Sequence, residues 1–600
     1  MVCLALFEAR SGQIPLLLPV TLTVYTCKVV SWNLIKQSDE YKAAETVLLR
    51  PSAGGSLRVA LGYPNTYEIG MSNLGLQVVY TLLNSLPGVT CERFFLPSAR
   101  EMELYRRSGR RLFTLETQRP VSEFQVVAFT IAFEPDYVNI AAILDLAGIP
   151  LFTEDRLKKD NAPLILAGGA VSLLNPEPIA NFIDVFCLGE AEEFLPNFVN
   201  LYIDWAKSAS QDKLGLLSAL ASLAGAYIPC FWQDFYDGEG RFLACCHRVD
   251  RSQNTIKRLH LSAQAYAEES VYSRILTENT ELGRSGLIEI SRGCAFNCRF
   301  CTVGFSYPKI RWKPLEKIVQ AVEELAAYTG RVGLISATAG TYPHIEELCD
   351  ILISRGISVS FSSLRVDGLP DCMLKALVAS GSKTITLAPE VGSDALRRVA
   401  NKRFTDQQYL ETAERAFAAG VINLRMYSMV GLPGEQEEHL QALIDLAAAT
   451  RKLQIKLGRG QGRITLSTGQ LIPKPFTPFQ WQAVLGRKAA SASLHYLEKG
   501  VRRIGGVDFG GESPREAVVQ ALLARGDRRF SRVIARVYHE PSFNGWLKAC
   551  EIEGIDVKRE LYEERSPMET PLPWEHLMPA GYKERLLREK EETERLAAQL

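Results

Sequence analysis

Three cysteines at close spacing are the residues of this sequence best suited to chemistry. They are Cys294, Cys298 and Cys301, which lie four and three positions apart. Thiolates are soft ligands that hold iron-sulfur clusters and zinc. A four-iron cluster needs four ligands, so three cysteines would leave one iron open to a ligand from outside the protein. Gly293 and Asn297 favour a loop over a helix interior.

Two other interpretations of the three cysteines stay open. Structural zinc uses four protein ligands, usually in paired Cys-x2-Cys form. The next cysteines along the chain, Cys349 and Cys372, are remote and fall in predicted helical segments. Alternatively, positions spaced by four and three could form one buried helix face, with cysteine acting as a small apolar residue. The spacing and the loop residues favour an iron-sulfur cluster.

The cysteine segment resembles the radical SAM superfamily, whose Cys-x3-Cys-x2-Cys motif carries an aromatic residue before the last cysteine, here Phe300. The resemblance implies that the open iron of a 4Fe-4S cluster takes the amino and carboxylate groups of S-adenosylmethionine (SAM), with Phe300 near the adenine. It also implies an electron donor such as flavodoxin or ferredoxin. Reductive cleavage of SAM would then give methionine and a 5'-deoxyadenosyl radical, which abstracts hydrogen from an unknown substrate.

Two further segments are similar to SAM-binding parts of that family. The run 388–393 resembles the family's fourth-strand segment, which implies that Glu390 and Ser393 lie close to SAM; Ser393 would equally serve as a helix N-cap. Ser336 and Thr338 stand where many relatives carry a Gly-Gly-Glu segment that binds the methionine amino group. This sequence departs from that pattern, so a contact there would use hydroxyl or backbone oxygen.

The resemblance suggests two more SAM contacts. Ser362 and Arg365 follow the third predicted strand and are candidates for binding the SAM carboxylate, with a surface salt bridge as the alternative for Arg365. The run 431–435 is similar to the family's adenine-side loop, although an ordinary tight turn would have the same sequence.

The elements that must position these residues alternate between strand and helix. Apolar runs that predict strands and the helical patterns between them are spread over about 190 residues, at 287–290, 332–336, 358–362, 384–387, 424–429 and 463–467 for strands, and 315–329, 345–355 and 406–419 for helices. Six such units predict a partial (β/α)6 barrel over residues 284–482, with the cysteines directly after its first strand.

A second alternating series precedes the barrel. Apolar runs at 57–62, 126–132 and 164–167, with a helical pattern at 74–86, predict a parallel sheet domain over residues 57–200. The fold class is therefore α/β, with a Rossmann-like parallel sheet domain, a partial barrel and a mostly helical C-terminal region.

Glycine-rich motifs follow the strands of the first domain, at 63–75, 167–170 and 184–193. Together they resemble the cobalamin-binding Rossmann-like domain that precedes the core of many radical SAM proteins. The cobalamin motif Asp-x-His-x-x-Gly is missing, however, and no histidine lies between Leu57 and Asp184. Bound cobalamin would lack a histidine ligand, and a scaffold or substrate-binding domain without the cofactor stays open.

The remaining segments carry weaker signals. Residues 201–283 predict a helical linker, and residues 483–600 predict a helical region that ends in a charged helix at 583–600, interpreted as a solvated element or partner contact. The proline-rich run 472–479 predicts an ordered connector. Residues 1–56 form an extension to which we assign no function.

Two short stretches near the C-terminus have open interpretations. Residues 525–529 and 572–576 could supply basic or aromatic groups to a substrate lid. Exposed turns and helix caps are the alternative that we favour.

Composition limits the location and the partners. The 600 residues contain 68 basic and 68 acidic side chains, so a zero net charge does not indicate nucleic acid. Thirteen unevenly spaced cysteines do not form a disulfide framework, which predicts a cytoplasmic protein. The apolar segment 14–34 contains Lys28 and lacks a clear cleavage site, so we expect no signal peptide or membrane anchor.

The main prediction is a radical SAM enzyme that performs a rearrangement or a methyl transfer. Two other functions compete with it. A methylthiotransferase acting on RNA or protein needs a second cluster with three more grouped cysteines. The candidates do not provide that grouping; they are Cys91, Cys187, Cys230, Cys245 and Cys246. A non-enzymatic iron-sulfur protein would not need the SAM-binding positions around Glu390.

Overall fold

The computed structural model describes residues 32–49, 54–170, 174–208, 212–249, 255–307 and 309–600. Helix α1 (32–43) and strand β1 (Thr46–Val47) belong to the folded body. Glu45 forms an ion pair of 2.7 Å with Arg93, and both side chains are almost fully buried. Most of the apolar segment 14–34 lies outside the described residues, among whose helices none is long and apolar enough to span a membrane.

The first domain contains a six-stranded sheet with the strand order β3-β2-β4-β5-β6-β7, in which every pair is parallel except the last. Its strands are β2 (Leu57–Tyr63), β3 (Val89–Phe95), β4 (Val126–Thr130), β5 (Leu164–Gly168), β6 (Val185–Cys187) and β7 (Ala226–Tyr227). Its helices are α2 (Tyr67–Met71), α3 (Leu74–Ser85), α4 (Ala99–Ser108), α5 (Tyr137–Ala147), α6 (Thr153–Arg156) and α7 (Ala191–Lys207). The predicted parallel sheet is confirmed.

The segment after this sheet differs from the helical linker that was predicted. It contains α8 (Lys213–Leu220), α9 (Ala263–Glu268), the short strand β10 (Ile275–Leu276), which pairs with β1, and an antiparallel hairpin of β8 (Trp232–Tyr236) and β9 (Phe242–His247). The hairpin has a physical signal, since Asp237, Gly238 and Gly240 are turn residues between an aromatic run at 231–236 and a largely apolar run at 242–246.

The second domain is an open barrel of parallel strands in two arcs. The first arc is β11 (Gly286–Glu289), β14 (Arg331–Ile335) and β15 (Ser358–Phe361); the second is β16 (Thr384–Glu390), β17 (Asn423–Val430), β18 (Ile464–Gln470) and β19 (Val507–Gly511). The short strands β12 (Ser291–Arg292) and β13 (Arg311–Trp312) pair with each other beside the first arc.

All six predicted barrel strands are present. The seventh, β19, lies beyond the predicted end of the barrel at residue 482. It escaped prediction because glycines at positions 505, 506, 510 and 511 interrupt the apolar alternation, which an edge strand tolerates.

Helices cover the outer face of the barrel. They are α11 (Leu315–Ala326), α12 (Ile345–Ser354), α13 (Asp371–Ala379), α15 (Asp406–Ala419) and α16 (Glu437–Lys456). Strand side chains such as Leu424 and Met426 pack into the core beneath these helices. Because strand side chains alternate, Arg425 and Tyr427 project into the barrel interior. Two short helices lie elsewhere: Phe305 of α10 (Val303–Ser306) packs in the core shared with the first domain, and Leu396 of α14 (Asp394–Val399) packs in a small separate cluster.

The C-terminal region is mostly helical, as predicted. Its helices are α17 (Arg487–Val501), α18 (Pro514–Arg525), α19 (Phe530–Val537), α20 (Phe543–Ile552), α21 (Val557–Tyr562) and α22 (Tyr582–Ala597). The proline-rich run before it is an ordered connector, in which Phe476 and Phe479 are fully buried. Single 3-10 turns occur at Val121–Glu123, Glu134–Asp136, Glu177–Phe182, Pro229–Phe231, Ala339–Thr341, Val366–Gly368, Pro478–Trp481 and Glu575–Leu577.

Two expectations for this region are wrong. Helix α22 is not a solvated element, because Leu586 is fully buried and the helix packs on the loop that carries the cysteines. The stretches 525–529 and 572–576 are not exposed turns, since Arg525, Trp574 and His576 are all buried. The sequence did not predict that these side chains are buried, because the residues that contact them come from distant parts of the chain.

Candidate active site

The three cysteines lie on one loop at the carboxyl end of the first barrel strand. The loop leaves β12 through Gly293, whose φ of +91° favours glycine, and ends at α10. The Cys301 amide donates to the Cys298 carbonyl at 2.9 Å, and the Phe296 amide donates to the Cys294 sulfur at 3.4 Å. A side chain at Gly304 would collide with the Phe296 carbonyl, so the loop is tightly folded.

The electrostatic surroundings of the thiols fit a cluster site. Burial, together with the charges of Cys298 and Cys294, raises the pKa of the Cys301 thiol to about 11. Burial also raises the pKa of Cys294, where Arg365 and Lys402 act in the opposite direction. Thiolates this close repel one another, so a bound cation or cluster would be needed to hold all three.

The spacing of the sulfurs also bears on what they could hold. Within the part of the chain that the structure describes, no three His, Cys, Asp or Glu side chains are grouped closely enough for a single metal ion. In a four-iron cluster each thiolate binds a different iron, so the ligands need not meet around one point. Cys349 and Cys372 belong to the core beneath the barrel helices.

The cysteine loop is held by residues that the sequence analysis did not select. Arg299 donates to the Arg398 and Val399 carbonyls at 2.9 and 3.0 Å and pairs with Glu589 of α22 at 2.9 Å. Asn297 is held by two side chains from different parts of the chain. Its carbonyl accepts from Asn401 at 2.7 Å, and its side-chain oxygen accepts from Arg585 at 3.0 Å. Positions 297 and 299 lie between the cysteines, and that location was the available signal.

The ends of β14 and β15 bring three predicted SAM contacts together. The Ser362 hydroxyl donates to the Ser336 carbonyl at 2.8 Å and accepts from the Ser336 amide at 3.0 Å. The Ser336 hydroxyl lies 2.6 Å from that of Ser291 and accepts from the Thr338 amide. The Thr338 hydroxyl is buried without a protein partner among the described residues. Of these three predicted contacts, Thr338 has the hydroxyl left for a ligand.

Arg365 lies against the cysteine loop rather than on an open surface. Its guanidinium pairs with Asp367 at 2.8 Å, stacks over the Phe296 ring at 3.7 Å and approaches the Cys298 sulfur at 3.6 Å. The salt bridge considered in the sequence analysis is therefore present, and whether Arg365 also binds the SAM carboxylate stays a prediction.

Glu390 and Ser393 follow the fourth strand as predicted. Glu390 has a φ of +65°, which is strained for a residue with a side chain, and its carboxylate pairs with Lys402 at 2.8 Å. Ser393 is the N-cap of α14 and accepts from the Leu396 amide at 3.1 Å, so the cap interpretation holds. Whether either residue contacts SAM stays a prediction.

Phe300 packs into a small apolar cluster next to the segment 431–435. The cluster contains Val391, Leu396 and Leu432, and Met429 packs against it from the barrel interior. Glu435 folds back to accept from the Gly431 amide at 2.6 Å. Burial raises the pKa of Glu435 to about 7, which the Gly431 hydrogen bond partly offsets.

The glycine motifs of the first domain have structural causes. Gly169 has a φ of +109°, and a side chain there would collide with the Ile131 carbonyl; Gly189 has a φ of +142°, and its side chain would collide with the Leu259 carbonyl. Close backbone packing therefore requires these glycines without any ligand.

The Gly-Glu-x-Glu motif at residues 189–192 joins the first domain to the cysteine loop. Glu190 pairs with Arg311 at 2.5 Å, while Arg292, two residues before Cys294, pairs with Glu192 at 2.9 Å. Burial raises the pKa of Glu190, but the hydrogen bonds from Arg311 and the nearby charge of Arg292 outweigh burial and hold the pKa well below its usual range. These buried ion pairs fix the start of the loop.

A cavity of about 440 Å³ opens between the two domains. It lies at the carboxyl edge of the first sheet, and Gly168, Gly169, Cys187 and Tyr307 are among its lining residues. Leu287, Glu289 and Ile335 of the barrel interior line its other side. Carboxyl edges of parallel sheets are common ligand sites, and this volume suits a small molecule.

Comparisons with known proteins agree with this site. Residues 288–447 match a family model described as the radical SAM superfamily, and residues 75–229 match one described as the N-terminal region of radical SAM proteins. An uncharacterized protein of Methanocaldococcus jannaschii is 27% identical over 479 residues, which cover 79% of this chain and 90% of that protein.

Two named proteins are more distant. A tRNA-2-methylthio-N(6)-dimethylallyladenosine synthase of Chlorobium phaeobacteroides is 24% identical over 180 residues, 28% of this chain and 40% of that enzyme. Among solved structures, the chain is similar to the cobalamin-dependent S-adenosylmethionine radical enzyme OxsB, with aqua-cobalamin and S-adenosylmethionine bound. The TM-score is 0.49 at 13% identity, and the match covers 91% of this chain and 79% of that one.

Proposed function

Because the chain belongs to the radical SAM superfamily, we propose that it is an enzyme that cleaves SAM reductively and uses the resulting radical on a small substrate. The observation that carries the proposal is the single loop of Cys294, Cys298 and Cys301 at the mouth of a parallel barrel. When bound there, a reduced four-iron cluster supplies the electron for cleavage of SAM.

The residues of the chain have distinct roles in this proposal. The three thiolates hold the cluster, while Arg365 and Lys402 place positive charge beside it. The buried Thr338 hydroxyl, which has no described protein partner, offers SAM a hydrogen bond. Phe300 closes the apolar side of the site.

The interdomain cavity is the proposed route by which a substrate reaches the barrel. Its barrel side is formed by inward-facing residues of the first two barrel strands, which end beside the cysteine loop. Its walls combine apolar residues with a charged group of Glu190, Glu192, Glu289 and Arg292, in which Arg292 pairs with Glu289 at 2.8 Å and with Glu192 at 2.9 Å. A substrate held there would be close to the site of radical formation.

Cobalamin is a second ligand proposed for the same cavity, since the cavity lies at the carboxyl edge of a Rossmann-like sheet. No histidine is among the lining residues, so the cobalt would have no histidine ligand from the cavity wall. Cobalamin binding is tested separately by mixing the protein with hydroxocobalamin and measuring, from the absorption spectrum, how much of it stays with the protein after gel filtration. Methyl transfer would then become the reaction to assay.

The experiment for SAM cleavage is anaerobic reconstitution with iron and sulfide, followed by dithionite and SAM. The product 5'-deoxyadenosine is measured by mass spectrometry. We expect it from the wild type and not from Cys298→Ala, which removes a cluster ligand. Cys246→Ala is the matched control, because Cys246 is exposed on the hairpin strand β9.

The outcomes separate the candidate functions. Deoxyadenosine from the wild type and Cys246→Ala supports the enzyme. A fully loaded cluster that yields none, and whose EPR signal does not change with SAM, would contradict SAM binding and favour a non-enzymatic iron-sulfur protein. A second cluster in the iron count would instead favour a methylthiotransferase.

A further inference from the structure

The inward face of the second barrel arc carries one arginine surrounded by hydroxyl groups. Arg425 of β17 lies in register with Thr386 of β16 and Thr465 of β18. Tyr427, two residues further along the same face, lies in register with Ser467. Side chains in register on neighbouring parallel strands are close neighbours, so these five residues form one polar surface, here called the arginine patch.

Among the residues that the structure describes, none is a hydrogen-bond or ion-pair partner for the side chains of the arginine patch. Within the described ranges, no hydrogen bond or ion pair joins the side chain of Arg425 or Tyr427 to another group. The outward face of the same strands behaves differently, because the hydroxyls of Ser428 and Thr468 bond to each other at 2.7 Å. On the inward face itself, Asp508 of β19 lies in register with Thr465, and its carboxylate is already paired with Arg463, directly before β18, at 2.5 Å.

The arginine patch is open to a ligand and continuous with the SAM site. Arg425 is exposed and Tyr427 is 45% exposed although both lie inside the barrel. Met429, the next inward-facing residue of β17, packs against the apolar cluster beside Phe300. A molecule on the patch would therefore extend along β17 towards the cysteine loop.

The chemistry of the patch selects a class of ligand. A guanidinium binds carboxylate and phosphate through two parallel hydrogen bonds, and hydroxyls can donate to the remaining oxygens. The described residues around Arg425 supply hydroxyls and no carboxylate within pairing distance. A negative group on the ligand would therefore be the first ionic partner of this arginine.

We infer that the substrate carries a carboxylate or phosphate group, which Arg425 binds inside the barrel while Thr386, Thr465, Ser467 and Tyr427 donate to it. The inference rests on the proposed function, because it assigns the barrel interior to the substrate. It makes Arg425 a specificity-determining residue for an anionic substrate class.

The test is chemical modification of arginine by phenylglyoxal, followed residue by residue with mass spectrometry on the full chain. Labelling is compared in inorganic phosphate, in malonate and in sodium chloride at equal ionic strength. We expect phosphate or malonate, supplied at about nine times its Kd, to slow modification of Arg425 by about tenfold relative to chloride, because the unoccupied fraction falls as 1/(1 + c/Kd), where c is the anion concentration. Arg502, exposed on the surface, should label equally in all three and is the internal control.

Each arm has a defined meaning. Protection by phosphate alone assigns a phosphate group, protection by malonate alone assigns a carboxylate, and protection by both assigns their shared chemistry. Equal labelling of Arg425 in all three salts would overturn the inference. Since neither SAM nor reductant is present, this result is independent of whether the protein cleaves SAM.

A titration of the protective anion confirms the residue. Arg425→Gln should weaken its binding by about tenfold, with partial recovery in Arg425→Lys, because lysine keeps the charge but loses the two-point contact. Arg502→Gln should bind as the wild type does. Unchanged affinity in a folded Arg425→Gln protein would also overturn the inference, and if that variant does not fold, the labelling result stands alone.

Discussion

Backbone strain in the site is concentrated at two residues beside the cysteine loop. Glu390 and Asn401 have φ values of +65° and +55°. Asparagine tolerates this region, whereas a glutamate there costs of order 1–3 kcal/mol. The strain at Glu390 directs its carboxylate to Lys402, and the turn at Asn401 directs its amide to the loop. Both strained residues thus act on the surroundings of the cysteines.

Glu435 leads to a prediction about pH. Burial raises its pKa in the folded protein to about 7, above the value of an exposed glutamate, so the folded state favours the protonated form. The folded state therefore binds more protons than the unfolded state between those two values, and stability falls as pH rises through them. Glutamine mimics the protonated carboxyl. We expect Glu435→Gln to melt at a higher temperature than the wild type at about pH 8 and at the same temperature at about pH 4.

Thermal unfolding of the unreconstituted protein at both pH values measures this effect. Glu437→Gln on the exposed start of α16 is the matched control and should follow the wild type at both. A Glu435→Gln protein that is less stable at high pH would mean that the carboxylate is needed in its ionised form.

At the scale of elements, helix α22 acts as a strap across the cysteine loop. Glu589 pairs with Arg299, and Arg585 binds Asn297. The helix thus contacts the loop on each side of Cys298. Near its end, Ala597 and Leu600 contact Gly434 of the neighbouring loop. The helix therefore restricts opening of the segment that would carry the cluster.

The strap predicts a specific effect of one glutamate. Glu589→Ala removes the ionic partner of Arg299 and should favour local opening of the loop by about 1 kcal/mol, about fivefold. The reconstituted variant should lose its iron-sulfur absorption in air correspondingly faster than the wild type. Glu592→Ala, which removes an exposed pair with Arg595 on the same helix, is the control. Equal loss rates in both variants would show that α22 does not protect the loop.

The sequence predicted strands and helices better than it predicted contacts between distant residues. Apolar periodicity identified the six barrel strands and the first parallel sheet, because their buried faces repeat locally. The cysteine spacing identified the loop, since its ligands are close in the chain. Strand β19 was not predictable in this way, because an edge strand interrupted by glycines has little apolar signal. The ion pair between the cysteine loop and α22 was not predictable either, because Arg299 and Glu589 are 290 positions apart. Partners at such separations are set by the tertiary fold.

At the scale of the whole molecule, three motifs from distant parts of the chain meet in one buried cluster. Glu177 of the first domain accepts from Arg528 of the C-terminal region at 3.0 Å and lies 3.4 Å from His576. The Tyr227 hydroxyl bonds both Glu177 and Arg528. The first domain and the helical region are thus joined at a fully buried junction. The N-terminal sheet is also joined to the barrel by the ion pairs of Glu190, which follows β6.

The junction leads to a prediction for the stability of the whole chain. Burial alone would raise the pKa of Glu177, but Arg528 and His576 outweigh it and hold the pKa below its usual range. Glu177→Gln removes the nearer of two charge partners from the buried Arg528 and leaves it Asp234 at 4.0 Å, which should cost about 3 kcal/mol near neutral pH and lower the melting temperature.

The same ion pair makes this cost depend on pH. A lowered folded-state pKa contributes stability above the unfolded value and loses it as pH falls through the folded value. The difference between the wild type and Glu177→Gln should therefore shrink in acid, as measured by thermal unfolding across the pH range. Glu498→Gln, which removes an exposed pair with Arg502, should change the melting temperature little at any pH. If Glu177→Gln also melts like the wild type at neutral pH, the two regions must be held together by apolar packing, and the ion pair contributes only the orientation of Arg528.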